Sequence, residues 1–116
     1  MTDLVACMTD EKGASHVSSL VKNHDWNKIF LITNGSNISF SSDKKIEFVP
    51  VDFTKPVVDV IEIIRRSLSG RISDFEVALN LVSGSGKEHM AILAALLKLG
   101  VGVRLMAITK EGVREL

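Results

Sequence analysis

Cysteine is almost missing from this chain. Cys7 stands alone, so no intrachain disulfide can form and no cysteine-rich zinc site can be built. That scarcity fits a reducing compartment, and a cytoplasmic location is expected. An excess of charge is also missing: 14 Lys and Arg balance 14 Asp and Glu. A chain with no net charge projects no overall field toward nucleic acid or an acidic membrane, and direct DNA binding is not expected of it. A local basic site stays open. The longest apolar stretch, Met90 to Leu97, is far short of the roughly 20 residues that span a bilayer, so no membrane association is expected. Asp3 and Asp10 bracket an N-terminal apolar stretch too short to read as a signal peptide. No repeat or low-complexity segment stands out. His16, His24 and His89 lack metal-ligand spacing, and neither a metal nor a cofactor is expected.

What is present is an ordinary globular balance. Hydrophobic residues make up 46% and charged residues 24% of 116, enough apolar mass for one core and one domain spanning 1–116. Leu4 to Met8 is a continuous apolar run and reads as a buried strand. Gly13 to Asn23 places Val17, Leu20 and Val21 at helical spacing. Lys28 to Thr33 is a second strand, ended by the turn signal Asn34-Gly35. Ile46 to Phe53 is a third, and Pro50 removes a ladder donor and moves it to a sheet edge. The segment Asn34 to Lys45 reads either as a short crossover or as the tip of a hairpin in which Ile38 to Phe40 pairs back on the second strand.

The clearest helix follows. Thr54 is read as its N-cap and Pro56 lies near the first turn. Val57, Val60, Ile61, Ile64 and Leu68 recur at spacings of three and four, with Glu62 and Arg66 paired at i,i+4 on the other side. Gly70 is its stop. Phe75 to Val82 is the fourth strand. Glu88 to Leu99 is a helix apolar on most sides, so it should be buried on more than one face, and a subunit interface is one way to cover the second. Gly100 ends it, Val101 to Ala107 is the fifth strand, and Val113 to Leu116 can return as a short antiparallel sixth.

Alternating strands and helices imply a parallel sheet with right-handed crossovers. The expected fold is α/β: a Rossmann-like doubly wound sheet, mainly parallel, with five strands in the order 3-2-1-4-5. Strands one and four then meet at the topological switch point, where ligands bind beyond the carboxyl ends. Two loops converge there, Thr9 to His16 and Ser83 to His89.

The second loop has the chemistry of an anion seat. Gly84 and Gly86 let backbone approach a ligand, the amides of the following helix point outward, and Lys87 adds a mobile cation. Ser83 and Ser85 add hydroxyl donors. The same turn also reads as a plain connector with Lys87 as a solvated first-turn residue. A P-loop is excluded, because Leu81 replaces its first glycine and Glu88 replaces the hydroxyl that would hold magnesium. The dinucleotide fingerprint is missing after strand one. Asp3, Asp10 and Glu11 are read as loop solvation or helix-start charge. Cys7 and Trp26 are read as packing residues, His24 as a surface residue, and His89 as packed or exposed more readily than ligand-binding.

The run Asn80-Leu81-Val82-Ser83-Gly84-Ser85-Gly86-Lys87, then Met90-Ala91, resembles the signature of the CRISPR-associated Rossmann fold (CARF) domains. In that family an Asn or Asp near the end of strand four leads into a Thr-Gly-Gly-Thr-Lys-like turn. A helix rich in Met, Ala and Leu and a Gly-Val strand follow, here Leu99-Gly100-Val101. Serines stand in place of threonines, and the turn is two residues longer. The resemblance implies a homodimer, formed through helix 88–99. It would bind a cyclic oligoadenylate messenger of type III CRISPR defence across its two-fold axis. Ser83, Gly84, Ser85, Gly86 and Lys87 would contact phosphate or ribose, and Thr9 with its neighbours would close over the ring. Some family members cleave the ring without metal, the ribose 2′-hydroxyl attacking the adjacent phosphate. Lys87 and Ser85 would then be catalytic. A subunit that serves assembly alone is the third reading.

Overall fold

A computed structural model describes residues 2–35, 40 and 42–116. It holds β1 (Thr2–Cys7), α1 (Glu11–Lys22), β2 (Trp26–Thr33), β3 (Glu47–Pro50), α2 (Val57–Leu68), β4 (Glu76–Asn80), α3 (Gly86–Leu99), β5 (Gly102–Thr109) and β6 (Gly112–Glu115). The six strands form one sheet in the order β3-β2-β1-β4-β5-β6. All pairs are parallel except β5 with β6. This is the expected Rossmann-like order, with the antiparallel sixth strand present.

Strand β1 is central because its side chains can be buried on both faces. Val5 pairs with Phe30 on one side and with Leu79 on the other. Period-two alternation then divides the apolar residues between two layers. Val5, Cys7, Phe30, Ile32, Val77 and Leu79 face a core shared with α2 and α3. Leu4, Ala6, Leu31 and Ala78 face a second core shared with Val17, Leu20 and Val21 of α1. Helices α1 and α3 therefore leave β1 and β4 on opposite faces. Full burial of each Leu, Ile or Phe side chain is worth roughly 1.5–3 kcal/mol, which pins the register: a one-residue slip would exchange the two layers.

Several boundaries differ from the sequence reading. Helix α2 starts at Val57 with Pro56 in the N-cap position and without a side-chain cap. Thr54 instead donates its hydroxyl to Asp52 Oδ1 at 2.6 Å. The ring of Pro56 keeps Lys55 out of helical geometry, so no helix can start upstream of it. Helix α3 starts two residues earlier than its apolar pattern, at Gly86. Strand β3 is four residues long and closes on Pro50, which does sit on the sheet edge. Trp26 belongs to β2, buried, with its indole N–H donating to Leu20 O at 3.0 Å. His24 is exposed as expected, its ring 4.3 Å from that of Trp26. Asp3 is a correction. It lies in β1, fully buried, and accepts from Asn27 Nδ2 at 2.9 Å and Ser73 N–H at 2.7 Å. Those bonds replace the water a loop would have supplied. The hairpin alternative for Ile38 to Phe40 rests on Ile38 and Ser39, which lie outside the described residues.

Candidate functional site

The loops after β1 and β4 meet where neighbouring strands send their helices to opposite faces. What brings them together is Ser83. It is fully buried. Its hydroxyl accepts the N–H groups of Thr9 (3.1 Å) and Asp10 (3.2 Å) and donates to Asp10 Oδ1 at 2.8 Å. Gly13, in the first turn of α1, presses on the same residue: a Cβ there would lie 2.2 Å from Ser83 Cβ and 2.5 Å from its Cα. Ser83 therefore spends its polar capacity on joining the loops.

Asp10 completes the joint. It is the N-cap of α1 and accepts from Gly13 N–H at 2.8 Å, the helix-start role expected of it. Its other oxygen, Oδ2, accepts from Gly84 N–H at 3.1 Å. These bonds hold the Asp10 carboxyl below its ordinary value, the one from Gly13 N–H contributing most and the Ser83 hydroxyl next. Gly84 has φ of +103°, a conformation open to glycine. A Cβ there would also fall 2.5 Å from Glu88 Oε1 and 2.7 Å from Thr9 Oγ1.

Glu88 is the second carboxylate of the turn. Its Oε1 accepts from Ser85 N–H and from the Thr9 hydroxyl, both at 2.8 Å. Among the residues expected to meet a ligand, Ser85, Gly86 and Lys87 are exposed, Gly84 is half-buried, and Thr9 is buried at 8% exposure. The Lys87 ammonium rests on Lys55 O at 2.7 Å. Sequence reasoning missed how Asp10, Gly13 and Glu88 take part. The spacing Ser85-x-x-Glu88 is a capping-box signature and carried part of that signal.

His89 Nε2 lies 2.7 Å from Ser83 O; a carbonyl only accepts, so Nε2 carries the proton and the ring braces the turn from within α3. Cys7 is buried and its Sγ lies 3.8 Å from Thr9 Oγ1. Burial pushes the thiol up to about 12 against the opposing pull of the Thr9 hydrogen bond. A thiol so poised is no nucleophile at neutral pH.

Behind the turn, Asn80 is 2% exposed. Its Oδ1 accepts from Val82 N–H at 3.2 Å and its Nδ2 donates to Met106 O at 2.8 Å. These partners orient the amide, so Nδ2 also donates to His16 Nε2 at 3.0 Å and His16 is neutral. Burial lowers the His16 pKa below its ordinary 6.5. The unfolded chain therefore takes up this proton at higher pH than the folded one. The contribution is whole above that value and is lost as pH falls below it toward the folded-state pKa. The urea midpoint should drop between about pH 7 and about pH 5.5, and the drop should shrink in His16→Gln. An equal drop in that variant would place the titration elsewhere.

Helix α3 turns Ala91, Ile92, Ala95 and Leu96 into the core. Its second apolar stripe is uncovered by the described residues: Met90 is 69%, Leu93 37% and Leu97 62% exposed. Leu105 of β5 is also exposed and by strand alternation shares the side of Val103, which packs on the core beneath α2 and α3. Elsewhere, a cavity of about 410 Å³ at the amino ends of β2 and β3 is lined by Lys28, Lys45, Glu47 and Arg71. Its Lys28 is committed to Arg71 O at 2.7 Å and its Arg71 to Glu47 at 2.6 Å. Among the described residues, no group of three or more His, Cys, Asp or Glu side chains is placed to hold a metal. None of their helices is long and apolar enough to cross a membrane. Comparison with protein-family models, curated proteins and solved structures found no match.

Proposed function

We propose that this chain is a CARF-type sensing domain that pairs with a second copy through α3 and binds a cyclic oligoadenylate across the two-fold axis. One observation carries the reading. Lys87 is exposed in the first turn of α3, one turn before Met90, the first residue of the exposed apolar stripe Met90, Leu93 and Leu97. The exposed cation of the switch-point turn therefore stands one turn ahead of the exposed apolar stripe. Two copies packed along that stripe, with the axis running along α3, bring both Lys87 ammonium groups to one end of the dimer. Like charges there repel, and a ligand with phosphates on both sides of the axis relieves the repulsion. A cyclic oligonucleotide has that symmetry, and an isologous interface matches it.

Calorimetry with cyclic tetra- and hexa-adenylate tests this. The chain should bind one ring, and Lys87→Ala should weaken binding by roughly 100-fold or more, because the variant dimer loses two charge-assisted contacts, each worth roughly 10–100-fold. Heat from neither ring would end the proposal. Ser85 and Lys87 are the exposed side chains of the turn, which favours a second reading as a metal-independent ring nuclease. In that reaction the ribose 2′-hydroxyl gives up its proton to solvent as its oxygen bonds to the adjacent phosphorus, and the bond to the leaving 5′-oxygen breaks. That oxygen takes up a proton while Lys87 and Ser85 steady the phosphate charge. Linear products in a chelator-treated mixture would establish it, and an intact ring after long incubation leaves a binding module. A dimer that binds neither ring would leave assembly alone.

A further inference from the structure

We infer that Glu88 and Asp10 are affinity-determining residues of the switch-point turn, their carboxylates holding the amides that a phosphate ester would otherwise take. This rests on reading the turn as an anion seat. Four donors converge there, and the chain's own carboxylates accept from all of them: Gly84 N–H and the Ser83 hydroxyl serve Asp10, while Ser85 N–H and the Thr9 hydroxyl serve Glu88. An incoming phosphate meets two negative charges before it meets a free amide of this turn. What the turn still offers is Lys87, the exposed Ser85 hydroxyl and the first-turn amides of α3.

The two carboxylates are tethered differently. Asp10 is fixed as the cap of α1 by Gly13 N–H and Ser83. Glu88 holds through one oxygen, and its Oε2 has no hydrogen-bond partner among the described residues. Its longer side chain can rotate away from Ser85 N–H without unfastening either loop. Glu88 is thus the group that a phosphate displaces, and Asp10 stays in place as a standing repulsion. Displacement costs two charge-assisted bonds, so an anion binds more weakly here than at a vacant helix start.

Titration of inorganic tripolyphosphate and cyclic tetra-adenylate into the wild type, Glu88→Ala, Glu88→Gln and Asp10→Asn tests the inference. Glu88→Ala should bind both anions about tenfold more tightly, because the charge and its hold on Ser85 N–H are both gone. Glu88→Gln should gain less, since it keeps an acceptor. Asp10→Asn keeps an N-cap and should gain through Gly84 N–H. If the wild type binds and no folded variant binds more tightly, the inference falls and the anion seat stands. If neither wild type nor any variant binds either anion, both fall. Should Glu88→Ala unfold, no gain in Glu88→Gln and Asp10→Asn is decisive against it.

Discussion

Gly13→Ala should cost roughly 2–4 kcal/mol of stability and lower the melting temperature by on the order of 10 °C. Helix propensity alone argues the opposite, since alanine inside a helix is favoured over glycine by about 1 kcal/mol. The sign of the measured change therefore decides between local preference and tertiary contact. A methyl at this position would lie 2.5 Å from Ser83 Cα, and backbone cannot rotate aside as a side-chain tip can. To make room, α1 must lift off the β4–α3 turn. Lifting stretches the bonds from Thr9 and Asp10 to the Ser83 hydroxyl and leaves buried polar groups unpaired. Urea denaturation checks the result. A variant as stable as wild type, or more so, would mean the two loops separate without cost and are not a rigid joint.

Leu97→Asp should weaken self-association on the order of 100-fold or more, because it buries a carboxylate in the middle of the proposed interface. Leu97 is 62% exposed in the single chain, so its monomer should keep its stability to within about 0.5–1 kcal/mol. Sedimentation separates the two effects: dimer for the wild type, monomer for the variant, with the same circular dichroism. Binding of a cyclic adenylate should disappear together with the dimer, because half of a shared site holds half of the ligand. A wild type that stays monomeric at high concentration removes the shared site, and with it the reason for Lys87 to stand at the head of the stripe.

The residues differ in how much of their role could be read without coordinates. Leu4 to Met8 announced a central strand because burial on both faces needs an unbroken apolar run, and both neighbours of β1 are indeed apolar strands. Pro50 announced an edge because it has no N–H to give a further strand. The double-sided apolar pattern of α3 announced a helix with more to cover than one core, and the stripe Met90, Leu93, Leu97 is what stays open. Thr54 misled: its hydroxyl suits a cap, yet Pro56 forbids the start that such a cap requires.

The candidate turn shows the boundary most plainly. By itself the sequence determined the sheet order, the crossover faces and the position of Ser83 to Lys87 at the switch point. These follow from apolar periodicity and turn chemistry, which are written in residues a few positions apart. Apart from Ser85 N–H, whose acceptor Glu88 stands three residues on, which donors of the turn stay free was decided by the tertiary structure. Ser83 and Gly84 are bonded to Asp10 across more than 70 residues of chain, and Thr9 to Glu88 likewise. A run of serines, glycines and a lysine reads as a set of open donors until the fold brings acceptors against them. Two of those acceptors are carboxylates, charged like the ligand the turn was expected to hold.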